Sequence, residues 1–226
     1  MKAIVLAGGV GERLRPLTDE VPKPLLLLQG KAIVEHIFDI LKKNNVTDVT
    51  LAVGYKKEKV MERFADGSAF GFNIDYIEED EPLGTAGFLK MMPIKETTLV
   101  MNGDDIFDFN LNDFLKKHKE FVEKGAVATL SLVSLDDTES FGTVKLDADK
   151  IADFVEKGKP ASNFVSVGHY LIEPTVMQYL PDKKRIMFET DIFPKLAAEG
   201  RLFAYPSNAK WIYIRDLEDY RRLNKE

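Results

Sequence analysis

Short apolar runs alternate with stretches of helical period through the first half of the chain, and few architectures accommodate that pattern. Ala3–Leu6 is an apolar run ending in Ala-Gly-Gly, so it reads as a buried strand entering a glycine loop. Ala32–Lys43 sets Ile33, Val34, Ile37, Ile40 and Leu41 at helical spacing and predicts an amphipathic helix. Further strands are expected at Asp48–Val53, Ile74–Ile77, Thr98–Met101 and Ala126–Val133, with helices at Glu58–Phe64 and Leu111–Glu123. This order predicts an α/β fold: a Rossmann-like, mostly parallel mixed sheet with helices on both faces. After residue 134 the pieces shorten, with strands at Thr143–Leu146, Ile151–Val155 and Val165–Leu171 and helices at Pro174–Tyr179, Asp191–Glu199 and Leu217–Leu223. No repeat or long linker interrupts the sequence, so a single domain over residues 1–226 is the expectation.

Charge and composition narrow the partners. The net charge is −6 and no Lys/Arg block stands out, which argues against nucleic acid and anionic membranes. The absence of cysteine excludes disulfides and Cys-based metal sites and fits a cytoplasmic location. The opening run is too short and too quickly followed by glycine for a signal peptide, and no stretch reaches transmembrane length.

The chemistry concentrates in Leu6-Ala-Gly-Gly-Val-Gly-Glu-Arg-Leu-Arg-Pro-Leu-Thr18 and the Pro22-Lys-Pro-Leu25 that follows. Gly8, Gly9 and Gly11 let backbone amides approach an anion, and a helix start after them would present free N–H groups to phosphate. Taken alone, the glycines equally fit a tight strand-to-helix turn. A P-loop would need Gly-Lys where Glu12-Arg13 stands, and a dinucleotide fingerprint would need Gly or Ala where Leu14 stands. Lys23 lies between two prolines that restrict its backbone and fix where its side chain points.

This run resembles the signature of the nucleoside-diphosphate-sugar pyrophosphorylases, the sugar nucleotidyltransferases, whose GT-A-like fold agrees with the α/β pattern. The resemblance implies that Leu6, Ala7, Gly8, Gly9 and Gly11 hold a nucleoside triphosphate, that Arg13 aids departure of pyrophosphate and that Lys23 contacts the reacting phosphates. It makes residues 1–134 the nucleotide-binding part and 135–226 the sugar-binding part. Glu78-Glu-Asp-Glu-Pro-Leu-Gly-Thr-Ala-Gly87 is similar to the family's nucleobase loop, with Glu79, Pro82, Gly84 and Thr85 at the base. A carboxylate at Glu79 accepts only, which matches the two Watson–Crick donors of guanine better than uracil or thymine. Glu78–Glu81 also fits an ordinary solvated acidic loop. The Glu-Pro-Leu-Gly-Thr-Ala-Gly run resembles the guanylyltransferase branch acting on mannose 1-phosphate.

Asn102-Gly-Asp-Asp105 ends an apolar strand, where an Asp-Asp pair also fits a turn or helix cap; the resemblance makes Asp104 a ligand for Mg²⁺ and a neighbour of the sugar phosphate. Gly142, Glu156, Lys157 and Gly168 are the implied sugar-phosphate contacts, with Lys159 competing for the place of Lys157. Three departures stand out: Phe141 for a tyrosine, Ser166 for an asparagine and, in Trp211-Ile-Tyr-Ile-Arg-Asp216, Tyr213 for the aspartate of a second metal ligand. Tyrosine is a poor Mg²⁺ ligand, and Asp216 could replace it only after a register change. His36 and His118 are expected at a surface or boundary, and Trp211 as a packing residue.

The expected reaction joins a nucleoside triphosphate to a sugar 1-phosphate, GTP with mannose 1-phosphate first, by direct in-line displacement. A UTP- or dTTP-using relative is the alternative within the class, and Tyr213 motivates a non-catalytic nucleotide-sugar sensor from another class. The sequence shows no C-terminal β-helix, so it resembles the family's compact members. A homo-oligomer is neither required nor excluded by these residues.

Overall fold

The computed structural model describes residues 1–139, 141–155 and 162–224. The strands are β1 (Lys2–Leu6), β2 (Leu27–Leu28), β3 (Lys31–Ala32), β4 (Asp48–Val53), β5 (Asn73–Glu78), β6 (Thr98–Asn102), β7 (Asp105–Phe107), β8 (Ala128–Ser134), β9 (Thr143–Asp147), β10 (Lys150–Val155), β11 (Phe164–Ile172), β12 (Leu202–Pro206) and β13 (Trp211–Tyr213). The α-helices are α1 (Leu17–Glu20), α2 (Ile33–Lys43), α3 (Lys57–Phe64), α4 (Phe88–Met91), α5 (Leu111–Glu123), α6 (Phe193–Ala198) and α7 (Leu217–Leu223).

Two compact units interleave along this order. The first takes Met1–Pro82, Met101–Asp108 and Trp211–Glu226; the second takes Leu83–Val100 and Phe109–Lys210. Residue 134 falls inside the second.

In the first unit, β4 lies between β1 and β5 and pairs in parallel with both, Leu51 standing opposite Val5 and Tyr76. Every residue of β4 after Asp48 is buried, as a central strand of a parallel sheet requires. Helix α2 buries Ile33, Val34, Ile37, Phe38, Ile40 and Leu41. Phe38 meets Phe64 edge-on at 5.2 Å and Phe72 at 4.7 Å, an aromatic cluster that fixes α3 beside α2. A second cluster joins Leu14, Leu26, Ile33, Ile106 and Ile214, with Tyr220 and Leu223 of α7 packed on it. It draws together the loop after β1, strand β7 and the segment after β13.

The second unit mixes directions. Strand β8 pairs antiparallel with β11 and parallel with β12, while β10 pairs antiparallel with β12 and β9. The long parallel crossovers of the first unit give way to short reversals, such as the one through Ala148 and Asp149 between β9 and β10. Helix α5 follows its expected bounds, with the Asn110 side chain capping the Asp113 amide. The expectation for His118 is corrected here. It lies on the stripe of Leu111, Phe114 and Phe121 and is fully buried, between Thr129 Oγ1 at 2.7 Å and Glu173 Oε1 at 3.0 Å. Burial holds its imidazole below the ordinary value of 6.5, against the opposing pull of Glu173. His36 does sit at a boundary, with a ring nitrogen 2.9 Å from the Leu28 carbonyl. Among the described residues, no helix is long and apolar enough to cross a membrane.

Candidate active site

The glycine loop opens where β1 ends. The Ala7 amide still bonds to Ala52 of β4 at 2.8 Å, and the Leu6 carbonyl accepts the Gly103 amide at 2.9 Å. The loop and the Asn102-Gly-Asp-Asp105 segment therefore start from one point, beyond the carboxyl ends of adjacent strands. Gly11 has φ of +69°, and a β-carbon on it would stand 3.0 Å from Thr18 Cγ2 and 3.1 Å from Lys23 Cβ. Glycine is thus required there both by conformation and by the lysine stem beneath it. Thr18 adds a hydroxyl bond to the Gly11 carbonyl, and the Tyr55 hydroxyl holds the Thr18 carbonyl. The helical turn expected after the glycines is present as a three-residue 3₁₀ turn, Glu12–Leu14, with Gly11 at its N-cap.

Lys23 is buried, with 7% of its surface exposed. Its ammonium donates to Asp104 Oδ2 at 2.8 Å and to the Ile214 carbonyl at 2.9 Å. An ammonium has three N–H donors, and among the described residues two of them are taken up in this way. Asp104, by contrast, keeps 43% of its side chain exposed. Arg13 is exposed and reaches the Tyr213 hydroxyl at 3.4 Å. Tyr213 stands opposite Asp105 in the antiparallel β7–β13 ladder, and its ring lies 5.2 Å from that of Trp211. The structure brings Arg13, Lys23, Asp104 and Tyr213 together around the glycine loop. The Ile214 carbonyl, which grips Lys23, was not foreseen, since a backbone oxygen leaves no mark on sequence.

The same segment bears on a metal. Asp216 caps α7, accepting from the amides of Glu218 and Asp219 at 3.1 Å each, and pairs with Arg215 at 3.0 Å. The Asp219 amide, and after it the Arg215 guanidinium, hold its carboxyl below the ordinary range. Asp216 is therefore engaged by the helix that it caps. Among the described residues no three His, Asp or Glu side chains converge as a protein cage. For an ion of the Mg²⁺ kind the site offers one half-exposed carboxylate, Asp104, so substrate phosphates and water would have to complete the shell.

Glu79 leaves β5 with its amide on the Val53 carbonyl and its side chain half-buried. Lys57 takes the carboxylates on either side of it, Glu78 at 3.2 Å and Asp80 at 2.8 Å, both at the surface. Pro82 is exposed.

In the second unit, Gly84 has φ of +84°, and a β-carbon there would lie 2.4 Å from the Ile186 carbonyl. The loop is docked on the 186–189 backbone: Ala86 N–H to Ile186 at 2.9 Å and Ile186 N–H to Leu83 at 2.8 Å. Thr85 donates to Glu189 Oε2 at 2.6 Å, and Tyr170 donates to Oε1 at 3.1 Å. Glu189 was missed by the sequence reading, although Glu189 and Asp191 are carboxylates set in an apolar run. Gly168 is buried with φ of +73° in the β11–β8 register shift between Ser166 and Tyr170, and the Ser166 amide lies 3.4 Å from the Gly142 carbonyl. Ser166 also lies between the two glycines in the bonding, its hydroxyl accepting the Gly168 amide at 3.4 Å. Glu156, Lys157 and Lys159 lie outside the described residues; Val155 just before them pairs with Thr143.

A family profile described as nucleotidyl transferase matches residues 2–226. The chain is 35% identical over 230 residues to a probable mannose-1-phosphate guanylyltransferase 1 of Oryza sativa subsp. japonica, covering 97% of this chain and 63% of that protein. It is 31% identical to the D-glycero-alpha-D-manno-heptose 1-phosphate guanylyltransferase of Aneurinibacillus thermoaerophilus, covering 100% of this chain and 98% of that one. Among solved structures, a putative glucose-1-phosphate thymidylyltransferase from Bacillus anthracis superposes with a TM-score of 0.87 at 28% identity, over 100% of this chain and 94% of that one.

Proposed function

The chain belongs to the nucleotidyl transferase family, and from that premise we propose that it is a sugar-1-phosphate nucleotidyltransferase that joins GTP to mannose 1-phosphate or a related sugar phosphate. The observation that carries this reading is Lys23, buried beneath the glycine loop and held between Asp104 and the Ile214 carbonyl. A structural lysine has no need of such a seat beside a loop shaped for backbone approach.

The reaction is an in-line displacement. An oxygen of the sugar phosphate bonds to the α-phosphorus of the nucleotide while the bond to the bridging oxygen breaks and pyrophosphate leaves. Gly8, Gly9 and Gly11 let loop amides meet the phosphates, and Lys23 offers a fixed charge where negative charge builds. Arg13, oriented by the Tyr213 hydroxyl, stabilises the departing pyrophosphate. Bound Mg²⁺ would supply further charge neutralisation at the phosphates, with Asp104 as the residue to hold it. Glu79, Pro82, Gly84 and Thr85 form the nucleobase segment, and Gly142, Glu156, Lys157 and Gly168 serve the sugar phosphate. The guanylyl preference is supported by the acceptor-only Glu79 and by the names of the plant and bacillar relatives. A cytoplasmic setting, with its pools of nucleotide and sugar phosphate, suits this reaction.

A second reading is favoured by one observation: a tyrosine that holds Arg13 stands in the β7–β13 ladder where the resemblance calls for a metal-binding aspartate. That reading is a nucleotide-sugar sensor without turnover. Pyrophosphate release with Mg²⁺, measured over GTP, UTP, dTTP, CTP and ATP against several sugar 1-phosphates, separates the two. Release confined to GTP with one sugar phosphate is the expected result. Nucleotide-sugar binding without release from any pair would replace the transferase by the sensor.

A further inference from the structure

Glu189 has no role in the function proposed above, yet it joins two hydroxyls of the second unit. Its two carboxylate oxygens are engaged separately. Oε2 accepts the Thr85 hydroxyl at 2.6 Å, and Oε1 accepts the Tyr170 hydroxyl at 3.1 Å. Thr85 in turn accepts the Phe188 amide at 2.9 Å. A carboxylate only accepts, so both hydroxyl protons must point at Glu189, which fixes the rotors of Thr85 and Tyr170. The Thr85 bond, at 2.6 Å, has the short length of a charge-assisted hydrogen bond. Tyr170 is 1% exposed, its ring packed against Phe188 at 5.4 Å and Phe193 at 5.1 Å, so the anchor behind Oε1 is rigid. On the other side, the Leu83–Ala86 loop is seated on the 186 backbone by two amide bonds, and a β-carbon at Gly84 would collide with it.

We propose that Glu189 is a positioning residue for the nucleotide: its carboxylate, anchored by Tyr170, holds Thr85 and so sets the backbone of the Leu83–Ala86 loop against the nucleobase. The assignment rests on reading this loop as the nucleobase segment. It also gives the loop a tie to β11, because Tyr170 follows Gly168 by two residues. A glutamine in place of Glu189 keeps the shape but offers an N–H₂ to one of two hydroxyl protons, so one of the two bonds must reverse or fail.

The test combines hydrogen exchange with titration by GTP on the wild-type protein, Glu189→Gln and Tyr170→Phe. Loss of one charge-assisted bond is expected to speed exchange of the Ala86 and Phe188 amides about tenfold in Glu189→Gln and to weaken nucleotide binding about tenfold. Tyr170→Phe, which keeps the ring, is expected to loosen the same amides to a smaller extent. The other amides and the melting temperature should stay as in the wild type. Wild-type binding and exchange in Glu189→Gln would overturn the proposal alone. So would faster exchange spread through the whole second unit with a lower melting temperature, the mark of a residue that only supports the fold. A wild-type protein that binds no nucleotide would overturn the functional reading, and this proposal with it.

Discussion

Lys23 shows how a single side chain is prepared by the chain around it. Pro22 and Pro24 restrict its backbone, Gly11 leaves room for its stem, and Asp104 and Ile214 orient its ammonium. Replacing Lys23 by alanine should lower turnover by about a hundredfold or more, as for other preorganised charge stabilisers. Asp104 is already half-exposed and can rehydrate, so the fold should survive; near-normal steady-state turnover of Lys23→Ala would remove the lysine from the mechanism. Gly9 offers the complementary test. A β-carbon there meets nothing within 4 Å, and no positive φ forbids it. Gly9→Ala should therefore change unfolding free energy by less than about 0.5 kcal/mol. It should nonetheless weaken nucleotide binding in a calorimetric titration, because the methyl group stands where phosphate must approach. Unchanged affinity would mean that the loop does not cradle the nucleotide. Residues of this kind were legible in the sequence because glycine and proline declare backbone geometry directly. The Ile214 carbonyl and Glu189 were not, because their roles depend on what lies opposite them in space.

At the level of elements, legibility followed length and period. Helix α5 and strand β4 have the bounds that their apolar patterning dictates. Strands β7 and β13 have three residues each, too few to display a period, and their ladder went unseen. His118 was misplaced although the spacing of Leu111, Phe114 and Phe121 puts it on the buried stripe; its polarity outweighed the period. Its burial has a consequence for α5. The folded state keeps the imidazole neutral, whereas the unfolded chain takes up a proton near 6.5. Acid therefore favours unfolding, and stability should fall as pH drops through about 6.5 towards the lower folded value. Urea midpoints at neutral and mildly acidic pH should show a smaller loss in His118→Gln than in the wild type; equal losses would free His118 of this role. Helix α7 gives another check. As its N-cap, Asp216 should cost about 1 kcal/mol when changed to alanine, with the Mg²⁺ dependence of pyrophosphate release unaltered. A shifted Mg²⁺ requirement would instead make Asp216 a metal ligand.

For the molecule as a whole, ligand binding is tied to stability by mass action. At a GTP concentration a hundredfold above its dissociation constant, the native state should gain about 2.7 kcal/mol, visible as a raised melting temperature. No rise with any nucleoside triphosphate would contradict the transferase reading. The α/β class was readable from the alternation of strands and helices, but the interleaving of two units was not, since no composition shift or linker marks where the chain passes from one to the other. That interleaving sets an order of events during synthesis. The seat of Lys23 is closed by Ile214, 191 residues later, and by a first unit whose final segment begins at Trp211. A chain emerging from the ribosome displays the glycine loop and its lysine early, yet the ammonium gains its second anchor only after the entire second unit has been made. The lysine's seat is thus completed late, and a chain interrupted before Ile214 would carry the signature motif without that second anchor.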